Sequence, residues 1–140
     1  MSFESIAGLQ HDVEMCIGVS SPYAVLKTCS YSATDIIWQY GPELGTTGFY
    51  QYENNNGQCL SVYGGGDSLN ERIGAGTCNT SHPDQFWTLN DLGGGSYNIV
   101  NYHSSYLIQI YNNSLANGAA LVQYYATTSP YQKWSIQPQS

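Results

Sequence analysis

The chain has 140 residues, with three basic side chains against ten acidic ones, a net charge of −7 and only 9% of residues charged. That balance excludes nucleic acid as a natural partner, because phosphate binding rests on Lys and Arg clusters, and it disfavours anionic membrane surfaces for the same reason. With 41% apolar and 14% aromatic residues the chain is not disordered, and its length suits one domain over 1–140.

The opening segment carries Glu4, Asp12 and Glu14, no Lys or Arg through residue 20 and no smooth apolar stretch, so no signal peptide is visible. A short apolar strand follows at Cys16-Ile17-Gly18-Val19, and a first tryptophan stands in Ile36-Ile37-Trp38. The same order then recurs. Cys59-Leu60-Ser61-Val62 matches 16–19, Gly64-Gly65-Gly66-Asp67 reads as a loop, and Gln85-Phe86-Trp87 closes a second copy. In the third copy Gly95-Ser96-Tyr97-Asn98-Ile99-Val100 alternates, and Leu107-Ile108-Gln109-Ile110 takes the cysteine strand's place. Asn112-Asn113-Ser114 is its loop, Ala119-Ala120-Leu121-Val122 its next apolar stretch, and Gln132-Lys133-Trp134 its end. Apolar runs this short fall far below the roughly 18 residues of a membrane span, so no membrane insertion is expected.

The tryptophans are thus 49 and 47 residues apart, and Cys29 precedes Cys78 by 49. Three copies, over about 1–45, 46–93 and 94–140, each supply four short strands separated by turn residues. Twelve strands at such spacing predict an all-β closed architecture, and no window shows a convincing helical stripe.

Threefold Gln-x-Trp repeats with an in-repeat cysteine pair resemble the ricin B-chain type of lectin domain, from about Ser5 to Trp134. The resemblance implies a β-trefoil, a six-stranded barrel closed at one end by three hairpins. It implies binding of galactose or N-acetylgalactosamine-type glycans, no catalysis and no cofactor. Four cysteines allow three pairings, and the repeat selects Cys16 with Cys29 and Cys59 with Cys78. Buried free thiols are the other reading; neither zinc spacing nor an activating partner for a nucleophilic cysteine appears. If the disulfides form, a secreted location is favoured. Trp38, Trp87 and Trp134 are expected at equivalent core positions.

A sugar ring needs a flat aromatic against its C–H face and polar side chains at its hydroxyl rim. Ricin-type sites supply these as an Asp on the second strand, an aromatic on the third, and Asn-Gln before the Trp. The first copy has Gly18, Lys27 and Asp35-Ile36 at those positions, and it reads as dead. The second has Ser61, Gly76 and Asp84-Gln85, and it lacks the stacking ring. The third has Gln109, Tyr124 and Tyr131-Gln132, which joins a ring to polar partners. Gln109, Asn117, Tyr124, Tyr131 and Gln132 are therefore the expected sugar-binding set, Asn117 as a rim donor entering the Tyr124 strand. The alternatives are that Tyr124 is a half-buried barrel residue, or that the site uses Tyr102, His103, Tyr106 and Tyr111.

His11, His82 and His103 fall in predicted turns without metal-ligand spacing, and no nucleophile elbow, metalloprotease helix or phosphate loop appears. The expectation is a non-enzymatic lectin, with homo-oligomers as a route to avidity. The alternatives are a protein-interaction trefoil, such as a protease inhibitor or receptor ligand, and the binding domain of a larger toxin or glycosidase.

Overall fold

Trp38, Trp87 and Trp134 have no exposed surface, and each donates its indole Nε1–H to a backbone carbonyl of the second strand in its own copy. The acceptors are Ile17 O at 3.1 Å, Leu60 O at 2.9 Å and Ile108 O at 3.3 Å. Three large rings with satisfied donors can thus share one core. Around them pack Phe3, Ile17, Leu26, Tyr52, Leu60, Ile73, Ile99, Ile108 and Leu121.

The structure is a computed structural model describing residues 1–138. Its twelve strands are β1 Ser2–Ser5, β2 Met15–Ser20, β3 Tyr23–Thr28, β4 Trp38–Glu43, β5 Tyr50–Asn54 and β6 Gln58–Val62, then β7 Ile73–Thr77, β8 Phe86–Gly93, β9 Ser96–Asn101, β10 Leu107–Ile110, β11 Leu121–Tyr124 and β12 Trp134–Gln137. Strands β1, β12, β9, β8, β5 and β4 pair antiparallel in that order. The ring closes between β4 and β1, where Trp38 N donates to Met1 O at 2.7 Å and the Met1 ammonium donates to Trp38 O at 2.8 Å. The hairpins β2–β3, β6–β7 and β10–β11 hang from β1, β5 and β9. A six-stranded closed barrel with three hairpins is a β-trefoil.

The threefold order reaches single side chains. Ser5, Asn54 and Asn101 end the first strand of each copy, and their side-chain oxygens accept from backbone N–H groups just beyond: Gly8, Asn56 and His103, each at 3.0 Å. Such short polar side chains cap turns because they replace the next backbone acceptor. In the first copy the cap starts a five-residue helix, α1, at Ile6–Gln10. No helix is expected from the sequence there, since five residues are too few for a periodic stripe.

Disulfides join Cys16 to Cys29 and Cys59 to Cys78, each tying a hairpin's first strand to the residue after its second. Both are compatible with an extracellular protein. Among the described residues no helix is long and apolar enough to cross a membrane.

Each hairpin turn leans on the third strand of the next copy. Ala75 N on β7 donates to Pro22 O of the first turn at 3.0 Å. Gln123 N on β11 donates to Glu71 O at 2.9 Å, and Asn70 N returns a bond to Gln123 O at 2.9 Å. Leu26 N on β3 donates to Ala119 O at 2.9 Å, and Gly118 N returns one to Leu26 O at 2.6 Å. The first copy thus touches the second, the second the third, and the third the first.

Candidate functional site

The glutamine of the Gln-x-Trp triplet is a clasp. Gln132 Nε2 donates to Tyr125 O at 2.7 Å, and its Oε1 accepts from Thr127 N at 2.8 Å. Gln85 does the same one copy earlier, to Thr77 O at 2.9 Å and from Asn79 N at 2.8 Å. Each clasp fixes the chain leaving the third strand against the tryptophan strand. Ile36 fills the position in the first copy and is buried without polar contacts of this kind.

In the third copy the clasp reaches further. Gln132 Nε2 also donates to Gln109 Oε1 at 2.7 Å, so Gln109 has its oxygen engaged and leaves its amide N–H₂ for the pocket. Tyr124, the last residue of β11, stacks on Tyr125 with ring centroids 4.3 Å apart and planes at 29°. Gln109 and Tyr124 line a shallow pocket of about 520 Å³ together with Asn70, Tyr111, Asn112 and Asn113. This lining holds amides and phenols, and no carboxylate, imidazole or thiol.

Of the residues expected from sequence, Gln109, Tyr124 and Gln132 come together here. Tyr131 is partly buried against the hydrophobic core and does not line the pocket. Asn117 lies elsewhere. Its Oδ1 accepts from Thr28 N at 3.0 Å, on the first copy's third strand, because the third hairpin turn leans that way. Asn70, from the second copy's loop, reaches the Tyr124 pocket by the equivalent route. Of the aromatic cluster named as an alternative, Tyr111 joins this pocket, whereas Tyr102 packs edge-on against Phe49 with centroids 5.1 Å apart.

The other two copies differ for physical reasons. In the first, Lys27 Nζ and Asp35 Oδ2 form an ion pair at 2.8 Å over Gly18, where an added Cβ would meet Lys27 Cδ at 2.8 Å. Burial opposes ionisation of Asp35, but hydrogen bonds from Lys27 and from Val19 N, with the Lys27 charge, hold its carboxyl below the ordinary value. A side chain occupies the place a ring would take.

The second copy keeps a pocket of about 500 Å³, lined by Ser61, Tyr63, Gly76, His82, Asp84 and Gln85 among others. Asp84 is buried and its Oδ2 accepts from Val62 N at 3.2 Å, the bond Asp35 makes to Val19. Gly76 leaves open space beyond its Cα, so no ring comes from the third strand. Sequence reading missed Tyr63, which is half-exposed. Its ring packs 5.0 Å from Tyr23, whose face carries the Arg72 guanidinium 3.7 Å from the centroid. Its position four residues after Cys59 was the available signal.

The comparisons agree with this architecture. The model of the family described as ricin-type beta-trefoil lectin domain-like matches residues 34–124 and 93–140, and the chain belongs to that family. No curated protein matches it. Among solved structures it is similar to the designed threefold-symmetric protein ThreeFoil, at 24% identity and a TM-score of 0.79 with 96% of each chain covered. It is also similar to the Macrolepiota procera ricin B-like lectin solved with lactose, at 11% identity and 0.73, covering 96% of this chain and 93% of that one. A third is the exo-beta-1,3-galactanase of Clostridium thermocellum, at 18% and 0.76, where 96% of this chain matches 29% of the enzyme. At these identities the likeness is one of fold.

Proposed function

We propose that the protein binds carbohydrate without catalysing a reaction, and that the third copy holds neutral, galactose-type glycans. One observation carries this reading. Only the third copy joins a third-strand ring, Tyr124, to a second-strand amide, Gln109, that the motif glutamine holds in place beside an open pocket. Tyr124 offers the flat face for sugar C–H groups, and the amides of Gln109, Asn112 and Asn113 offer donors and acceptors for hydroxyls. A lining without charge, on a chain carrying −7, suits neutral rather than anionic sugars. The galactose preference comes from the family, and the lactose of the Macrolepiota procera complex is consistent with it.

One such site binds at roughly millimolar to micromolar strength, about −4 to −8 kcal/mol. Avidity would come from association of copies of the chain on a glycan-bearing surface. The second copy is the competing location, because its pocket has a half-exposed ring in Tyr63 and a buried carboxylate in Asp84.

A glycan array followed by calorimetry tests both. Tyr124→Ala should weaken the best array glycan by about 1–3 kcal/mol, through lost stacking and readmitted water. Gln109→Asp should strengthen binding, since a carboxylate still accepts from Gln132 and presents a charged acceptor to a hydroxyl. Unaltered binding by Tyr124→Ala with loss in Tyr63→Ala would move the site to the second copy. An array without hits would favour a protein-interaction role.

A further inference from the structure

We infer that the third-copy site is assembled from two copies and shaped for two linked sugar rings, with Asn70 of the second copy reading the second ring. This rests on the sugar-binding reading above and adds a residue and a ligand length to it.

Asn70 is fixed at the pocket by its neighbours. Its N–H donates to Gln123 O at 2.9 Å, and Gln123 N–H donates to Glu71 O at 2.9 Å. The Gln123 side chain is fully buried, and its Nε2 donates to Ser68 O at 2.8 Å and Gly66 O at 3.3 Å. Moving the loop away would strand a buried amide, which is costly, so the 66–71 segment stays zipped to β11. Tyr124 is the next residue along that strand. The loop that bonds to Gln123 therefore reaches the Tyr124 pocket from the neighbouring copy.

The Asn70 side chain is left uncommitted. Its backbone has a φ of 65°, in the left-handed region that Asn tolerates. The residue is exposed and lines the pocket, and among the described residues its amide forms no hydrogen bond. Asn112 and Asn113, both at a φ of 54°, line the same pocket from the third copy's own loop.

The position is particular to this site. The matching turn bonds place Ser21 and Gly118 where Asn70 stands in the second copy, so neither of the other two junctions carries an amide there. Asn70 shares this shallow pocket of about 520 Å³ with Tyr124 and Gln109. Tyr124 and Gln109 account for the first ring. Asn70 comes from the other copy's loop, and its free amide can meet the hydroxyls of a ring linked to the first as donor and acceptor.

Calorimetric titration of the full chain with galactose and with lactose separates the two levels of the reading. Glycine at position 70 keeps the positive φ and removes only the amide, so Asn70→Gly should fold as the parent does. Lactose should bind the parent more tightly than galactose. Asn70→Gly should weaken lactose roughly three- to tenfold and leave galactose unchanged, the loss expected for one hydrogen bond. Tyr124→Ala should weaken both sugars. With Tyr124→Ala weakening both sugars, an Asn70→Gly that affects neither overturns the two-copy site, and one that weakens both equally overturns the second-ring role; in either case the sugar site stands. If the parent binds neither sugar, or Tyr124→Ala binds both as the parent does, the third-copy reading falls and this inference falls with it.

Discussion

Asp35 shows how one residue closes a site and stabilises a fold together. Its carboxylate accepts from Lys27 Nζ at 2.8 Å and Val19 N at 3.0 Å, and its carboxyl is held below the ordinary 3.8. A depressed acid contributes stability that is complete above its unfolded value and lost as pH falls through its folded one. Asp35→Ala should therefore lower stability at pH 7 by about 1–2 kcal/mol, allowing for partial screening of the pair. The difference from the parent in thermal melts should shrink as pH drops below 3.8. Tyr52 is the converse case. It is fully buried against Phe3, and its hydroxyl has no hydrogen-bond partner among the described residues. Burial also pushes the phenol's pKa far up, so it stays neutral. Removing an unpartnered buried hydroxyl relieves its desolvation, and Tyr52→Phe should raise stability by about 1 kcal/mol in denaturant titrations.

At the level of elements, the three hairpins have one register and unequal means of holding it. Two copies use a disulfide, closing sequence separations of 13 and 19 residues. The third has Leu107 and Ala126 at the corresponding positions and forms the same β10–β11 pairing without a bridge. The bridges thus add stability to a geometry that strand pairing already specifies. Replacing Cys59 and Cys78 together by Ser should cost about 3 kcal/mol in urea unfolding while leaving the far-ultraviolet spectrum unchanged. A spectrum that collapsed would mean the bridge sets the hairpin itself. The turns are the unequal part: the first hairpin connects β2 to β3 through Ser21 and Pro22 alone, whereas the second runs a longer loop from β6 to β7. That longer loop carries Asn70 into the third copy's pocket, as the equally long third loop carries Asn117 to Thr28.

At the scale of the whole molecule, the tryptophans connect barrel and hairpins. Each stands on or beside the start of a barrel strand and bonds to a hairpin strand's carbonyl, so core packing and barrel closure share three residues. Trp38→Ala, Trp87→Ala or Trp134→Ala should each cost roughly 3–5 kcal/mol, read as a shifted denaturation midpoint. A loss confined to one copy, with the other two unaffected, would contradict a shared core.

The repeat was legible because it is written in residue types with fixed structural duties. Tryptophan must be buried with its N–H satisfied, a paired cysteine must meet its partner, and the motif glutamine must clasp two strands. Those duties depend on local register, so spacing predicted a threefold all-β architecture and the cysteine pairs, while the resemblance to ricin-type lectins implied the trefoil and the grouping of Gln109, Tyr124 and Gln132. Asn117 and Asn70 mark the limit. Both lie in hairpin loops, and linear order assigns Asn117 to the strand it precedes. Closure of the barrel turns each loop toward the next copy instead, so Asn117 bonds to Thr28 and Asn70 reaches Tyr124's pocket. Tyr63 lines the pocket of its own copy, where the third strand supplies only Gly76 in place of a ring. Which side chains face one another across copies is set by the threefold packing of hairpins, a relation between residues far apart in the chain that no local pattern encodes.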